Sequence, residues 1–258
     1  MQRPLRSALE RALEPRLRRL RVQLADGART TMHVASYPLD QFRARVVVLD
    51  RPTPLVEWCG QRDVPDAIVG GFFARPSYSP LGELRIAGQT RSHVQFDPPW
   101  SGIRACVQIE CGSPLIARRD QLHSDPHGDL LQAGPLLVAG GQNAITADFD
   151  PEGFSAGSHQ FDSDITAGRY PRAALALDGE RMLAVACDGR TAADAGMTLD
   201  ELAGALLDLG AADAINLDGG GSASLVTRYR LRNRPREEHG ADLLGGRPIV
   251  TAIAFEPR

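Results

Sequence analysis

The sequence predicts an α+β fold: a single domain with a mixed, largely antiparallel sheet packed by a few helices. Three observations predict it. Short apolar runs recur along the 258 residues, most of them bounded by glycine or proline. Only one segment, 198–209, carries a full set of helix start and stop signals. Regular strand–helix–strand alternation, the mark of a doubly wound parallel sheet, is absent. Composition agrees: 43% hydrophobic and 24% charged residues are globular values, and 26 glycines with 18 prolines call for many turns.

The elements follow in order. Residues 5–20 place Leu5, Leu9, Leu13, Leu17 and Leu20 at helical spacing, so 1–20 is expected to be a helical arm, interrupted at Pro15, ahead of a domain over 21–258. Runs 21–25 and 30–37 flank Asp26-Gly27 and predict a hairpin. Runs 44–50 and 66–73 read as strands, the second ending in a glycine turn. The runs ELRIA, ACVQIE and PLIARR and residues 132–141 read as further strands. Residues 146–168 are polar and rich in Asp, Ser and Gly, a long loop of the kind that carries function or moves. Runs 172–178 and 181–187, joined at Asp178-Gly179, predict a second hairpin. In 198–209, Thr198 and Glu201 form a capping box, Leu199, Leu202, Ala203, Leu206 and Leu207 an apolar face, and Gly210 the stop. Run 213–218 alternates, with Ile215 and Leu217 on one face and Ala214, Asn216 and Asp218 on the other.

Several function classes are excluded. Lysine is absent, so the chain has no Schiff-base or P-loop lysine, and every basic side chain other than histidine is an arginine. The net charge of −3 gives no bulk attraction to nucleic acid or anionic lipid. No run approaches the ~18 apolar residues of a membrane span. The N-terminus lacks the apolar core of a secretory signal, so a cytoplasmic location is expected. Cys59, Cys106, Cys111 and Cys187 do not form CxxC pairs and are expected to be reduced.

Two features carry chemistry. Asn216-Leu217-Asp218-Gly219-Gly220-Gly221-Ser222 sets a carboxylate at a strand end before three glycines. Bare amides in such a turn suit an oxyanion, and the alternative is a plain glycine-rich turn. The second hairpin brings Arg172 near Asp188-Gly189-Arg190, either as a site or as a surface ion cluster. Weaker candidates are a metal-binding set of His123, His127 and Asp129, better read as a polar loop; His159; sugar stacking by Trp58 or Trp100; and a metal-dependent phosphoesterase built on Asp218, Asp188, Asp162 and Asp164. Arg230, Arg232, Arg234 and Arg236 alternate in a late loop, as a phosphate rim or a solvated charged face.

Taken together, Pro171-Arg172-Ala173-Ala174, Asp188-Gly189-Arg190, the run Gly196 to Leu202 and the run Asn216 to Ser222 resemble the phosphodiester glycosidase family. Gly70-Gly71-Phe72-Phe73, Ala133 to Leu137 and Arg247-Pro248-Ile249-Val250 are weaker echoes over residues 66–255. The resemblance implies hydrolysis of a sugar-1-phosphodiester at its glycosidic bond. It implies Asp218, Asp188 and Asn216 as catalytic residues. It implies Arg172, Arg190, Gly219, Gly220, Gly221, Ser222 and Gly71 as substrate- and phosphate-binding residues. The expected partner is a small-molecule or glycan sugar phosphodiester, with no cofactor or metal. Two positions depart from the family pattern: Val69 where it has asparagine, and Ala173 where it has threonine. They motivate an alternative, a catalytically degenerate glycosyl-phosphate-binding protein.

Overall fold

The computed structural model describes residues 14–146, 149–155, 165–166 and 168–258. Its architecture is dominated by sheet, with two α-helices among the described residues. A seven-stranded sheet runs in the order Arg16–Gln23, Arg29–Pro38, Arg181–Cys187, Arg172–Leu177, Asp213–Asn216, Leu136–Ala139, Gln142–Asn143. A five-stranded sheet orders Arg230–Leu231, Leu225–Thr227, Asp66–Val69, Ile249–Pro257 and Phe42–Thr53. A second five-stranded sheet contains Ser113–Arg118, Ala105–Glu110, Asp129–Gln132, Leu84–Ile86 and Gln89–Thr90. The ladders within these sheets are antiparallel. The expectation of one mixed sheet is corrected accordingly: the strands divide among several antiparallel sheets.

Alternation decides what each face of the seven-stranded sheet meets. Ala35, Ala173, Leu175, Ala184, Ala186 and Ile215 join one core with Ile68, Val69, Ile253 and Phe255 of the five-stranded sheet. Tyr37 stacks on Phe255 in that core, with ring centroids 4.1 Å apart. Met32, Val34, Ala174, Val185 and Ala214 face the other way and meet the Leu199–Asp208 helix through Leu199, Leu202, Ala203 and Leu206. That helix has the expected cap. Thr198 Oγ1 accepts from the Glu201 amide at 3.1 Å, and the Glu201 carboxylate accepts from the Thr198 amide at 2.9 Å. Gly210, at φ 89°, turns the chain out of it into the Asp213–Asn216 strand.

Two local expectations change. Residues 16–20, assigned to a helical arm, belong to the Arg16–Gln23 strand, paired residue for residue with Arg29–Pro38. The first part of that arm, 1–13, lies outside the described residues. Pro15 blocks helix continuation, and pairing along the hairpin outweighs a weak helical pattern. The Leu55–Arg62 helix was not expected. It is short and contains Gly60, so its pattern was faint, and it buries Leu55, Trp58 and Cys59. All four cysteines are free thiols, three buried and Cys111 exposed.

Candidate active site

The sheets are tied together at one end, and a cavity of about 110 Å³ opens there. The tie is made of backbone. The Asp218 amide donates to Gly70 O at 3.0 Å, the Leu217 amide to Ala173 O at 2.8 Å, and the Gly70 amide to Thr251 O at 2.9 Å. The ends of the Arg172–Leu177 and Asp213–Asn216 strands thereby meet the turn after Asp66–Val69 and the start of Ile249–Pro257. The cavity is lined by Asp218, Asn216, Tyr170, Arg172, Arg190, Arg75, Arg247 and Glu238, with Phe72 and Phe73 as apolar wall.

Asp218 lies half-buried at its base. Burial pushes its carboxyl up to about 6, against the opposing pull of Ser222, Arg247, the Gly219 amide and Arg75. Desolvation penalises the charge more than the nearby cations and donors favour it. The result is a carboxyl that changes charge near neutrality, as a general base or acid requires. Its Oδ1 accepts from the Gly219 amide at 2.9 Å, which fixes the rotamer. Asn216, two residues back on the same strand face, donates from Nδ2 to Gly134 O at 3.0 Å and Leu217 O at 2.9 Å. Its Oδ1 is buried without a hydrogen-bond partner, leaving an acceptor at the cavity wall.

Four guanidiniums line the cavity. Arg172 is buried, and its Nε donates to Met197 O at 3.1 Å. Arg247 is paired in a fork with Glu237, at 2.9 and 2.5 Å. Arg190 donates from Nη1 to the backbone Arg236 O at 2.7 Å and makes no ion pair with a carboxylate of the described residues, though Glu237 and Glu238 favour its charge from nearby. Burial nevertheless holds its pKa below the ordinary arginine value. The Tyr170 ring stands beside both, 5.2 Å from the Arg172 guanidinium carbon and 5.7 Å from that of Arg190. Such forks suit the oxygens of a phosphate.

The glycines act differently from the amide cradle suggested by their sequence. The Gly219 amide is spent on Asp218, and the Gly220 amide donates to Pro171 O at 2.9 Å. A Cβ on Gly219 would lie 2.9 Å from Pro171 O, and one on Gly221 would lie 2.8 Å from Leu243 Cδ1. Close packing explains these two: Gly219 lies against the Pro171 backbone, and Gly221 against the side chains of Leu243 and Glu237. Gly220, at φ 59°, supplies the left-handed turn beneath the Arg190 guanidinium. Gly71 donates to Thr251 Oγ1 at 3.1 Å and stays behind the wall. Ser222 is fully buried behind Asp218.

Asp188 is not brought to this cavity. Its carboxylate points to the other side of the Asp188–Arg190 turn, where Oδ1 accepts from the Arg234 amide at 2.6 Å and Oδ2 lies 3.2 Å from His33 Nε2. Arg172, Arg190, Asn216 and Asp218 converge, and Asp188 stands apart from them. His159, Asp162 and Asp164 lie outside the described residues. The Asp129 carboxylate accepts from the amides of Val46 and Ala87. Among the described residues no three His, Cys, Asp or Glu side chains gather as for a metal.

A family model for phosphodiester glycosidase matches residues 63–256. The chain belongs to that family. The phosphodiester glycosidase match covers the whole cavity lining, from Phe72 to Arg247. Among solved structures, the zebrafish N-acetylglucosamine-1-phosphodiester alpha-N-acetylglucosaminidase catalytic domain, auto-inhibited by its pro-peptide, superposes with a TM-score of 0.70 at 21% identity, over 95% of this chain and 83% of that one. A hypothetical protein from Synechocystis gives a TM-score of 0.65 at 20% identity, over 95% of this chain and 62% of its own. The chain thus spans less than two thirds of that Synechocystis protein's length. No curated protein matches.

Within this chain, the two departures from the family pattern are structural. Val69 and Ala173 are fully buried in the core between the sheets, and neither lines the cavity. Four cavity residues were missed as site residues: Tyr170, Arg75, Glu238 and Arg247. Arg75 follows the Gly70–Phe73 turn by two residues and Arg247 opens a strand-like run, so both signals were adjacent. Nothing near Glu238 in the sequence marks it.

Proposed function

We propose that this chain hydrolyses a glycosyl-1-phosphodiester, releasing free sugar and a phosphomonoester. The carrying observation is a single half-buried carboxyl, Asp218, poised near pH 6 in a small cavity whose rim is arginine-rich. Arg190, Arg75, Arg172 and Arg247 bind and hold the phosphodiester anion. The departing phosphomonoester has a second pKa of about 6, so it leaves with little protonation, and cation contacts that strengthen as charge gathers on it favour the transition state. The Asp218 carboxylate faces the anomeric carbon. It stabilises positive charge there or draws the proton from the attacking water, whose oxygen joins that carbon as the carbon–oxygen bond to phosphate breaks. Asn216 Oδ1 accepts from a sugar hydroxyl. Tyr170, Phe72 and Phe73 exclude water from the reacting face.

The family membership and the fold shared with the zebrafish domain support this reading. The alternative of a degenerate binding protein loses its motive, since Val69 and Ala173 do not touch the cavity. The test is a panel of sugar-1-phosphodiesters, UDP-N-acetylglucosamine included, incubated with the protein in ¹⁸O-labelled water. Label in the sugar at its anomeric oxygen is the expected result. Label in the phosphate sinks the glycosidase mechanism.

A further inference from the structure

Beyond the Asp218 cavity, the molecule has a second cleft on the opposite side of the Asp188–Arg190 turn. Its walls come from the edge of the seven-stranded sheet and from the segment following Leu225–Thr227. Arg19, Arg232 and Arg234 line it with their side chains, together with His33 and Asp188, and with Leu17 and Leu225 as an apolar wall; Arg18 and Val34 border it through the strand backbone. The cavity measures about 440 Å³.

Its charge is unbalanced. Three guanidiniums, those of Arg19, Arg232 and Arg234, stand with one carboxylate, and that carboxylate is spent: Asp188 is only 3% exposed and accepts from the Arg234 amide, with His33 against its other oxygen. The side chains of Arg18, Arg19 and Arg234 make no ion pair with any described residue. Arg232 donates to Thr227 Oγ1 and, at 2.9 Å, to Thr227 O, both uncharged acceptors. Burial and the neighbouring cations of Arg228 and Arg230 disfavour its charge. A solvated charged face ordinarily mixes signs and relaxes crowding. Here cations from two segments distant in sequence share one cleft in a protein whose net charge is −3. An anion with several acceptor oxygens relieves that repulsion, and planar guanidinium forks match the oxygens of phosphate. The volume exceeds that of one phosphate, and the apolar wall leaves a place for an organic group attached to it.

We propose that this cleft is a second ligand site, separate from the Asp218 cavity, that binds the phosphate group of a phosphate monoester through Arg19, Arg232 and Arg234. It does not depend on the reaction assigned to Asp218.

Titration of the ¹⁵N-labelled full chain, once with inorganic phosphate and once with phenyl phosphate, tests it. Saturable shifts at the Val34 and Arg234 amides are expected with both, with tighter binding of phenyl phosphate. The double variant Arg19→Gln/Arg234→Gln, at two exposed positions, is expected to bind at this cleft about tenfold more weakly, the cost of one charge-assisted contact or more. Arg190→Gln, in the other cavity, should leave these shifts in place. Shifts confined to Gly219 and Gly220, no saturable shift near Val34, or wild-type affinity in the double variant would each overturn the site. Equal affinity for the two probes would overturn the assignment to an ester.

Discussion

Asp188 and Asp218 look alike in sequence. Each follows a strand of the same sheet, and each precedes glycine. Their surroundings separate them. Asp188 is closed over by His33 and the Arg234 amide: Oδ1 holds the chain at Arg234 against the 188–190 turn, and Oδ2 lies against His33 of the Arg29–Pro38 strand. Asp218 is tied by its neighbour Gly219 but faces a cavity ringed by arginines, and burial lifts it to about 6. A carboxylate with both oxygens engaged by the fold stabilises it. One that keeps an oxygen toward a cavity retains chemistry to perform.

The sharpest way to break this contrast is substitution of both residues. Asp218→Asn is expected to lower kcat at least about 10³-fold with an unchanged circular dichroism spectrum, since a reacting carboxylate supplies several kcal/mol to the transition state. Asp188→Asn is expected to keep kcat within about tenfold while losing about 1–3 kcal/mol of stability to urea, the cost of disturbing a buried hydrogen-bonded acceptor. Equal loss of activity in both would erase the distinction.

Arg190→Gln comes next. It removes a cavity cation that makes no ion pair with a described carboxylate and is expected to reduce kcat/KM by about 10²-fold, as loss of a charge-assisted contact of 2–3 kcal/mol would.

Val69→Asn probes the two departures from the family pattern. The side chain enters an apolar core without a designed partner, so stability should fall by about 1–3 kcal/mol with no gain in turnover. A gain in activity would restore the degenerate-enzyme reading.

Gly219→Ala sets a Cβ against Pro171 O and should cost about 1–3 kcal/mol in urea unfolding, because backbone rather than a flexible side chain stands in the way.

The smallest effect is in pH. With the carboxylate as the working form of Asp218, kcat/KM rises with pH up to about 6 and then levels. Arg247 favours the ionised form, so Arg247→Gln should move that midpoint upward; a downward move contradicts the electrostatic assignment.

Much of the fold was legible because it rests on local signals. Hairpins at Asp26-Gly27 and Asp178-Gly179, and the Thr198–Glu201 capping box, are written in adjacent residues. The alternation of 213–218 placed Asn216 and Asp218 on one face. The first turns of the chain misled, since leucines at helical spacing between 5 and 20 also suit a strand once a partner hairpin exists. The Leu55–Arg62 helix was too short to show a period.

By itself the sequence determined the family, the position of Asp218 before its glycines, and an arginine-only supply of strong cations. Tertiary structure decided which of those cations face which carboxylate. Strand-end side chains are oriented by the sheet to which the next turn is tied, and here the bond from the Asp218 amide to Gly70 O and the bond from the Arg234 amide to Asp188 Oδ1 span 148 and 46 residues of chain. Such long-range pairing turned Asp218 toward Arg75, Arg190 and Arg247, and turned Asp188 away.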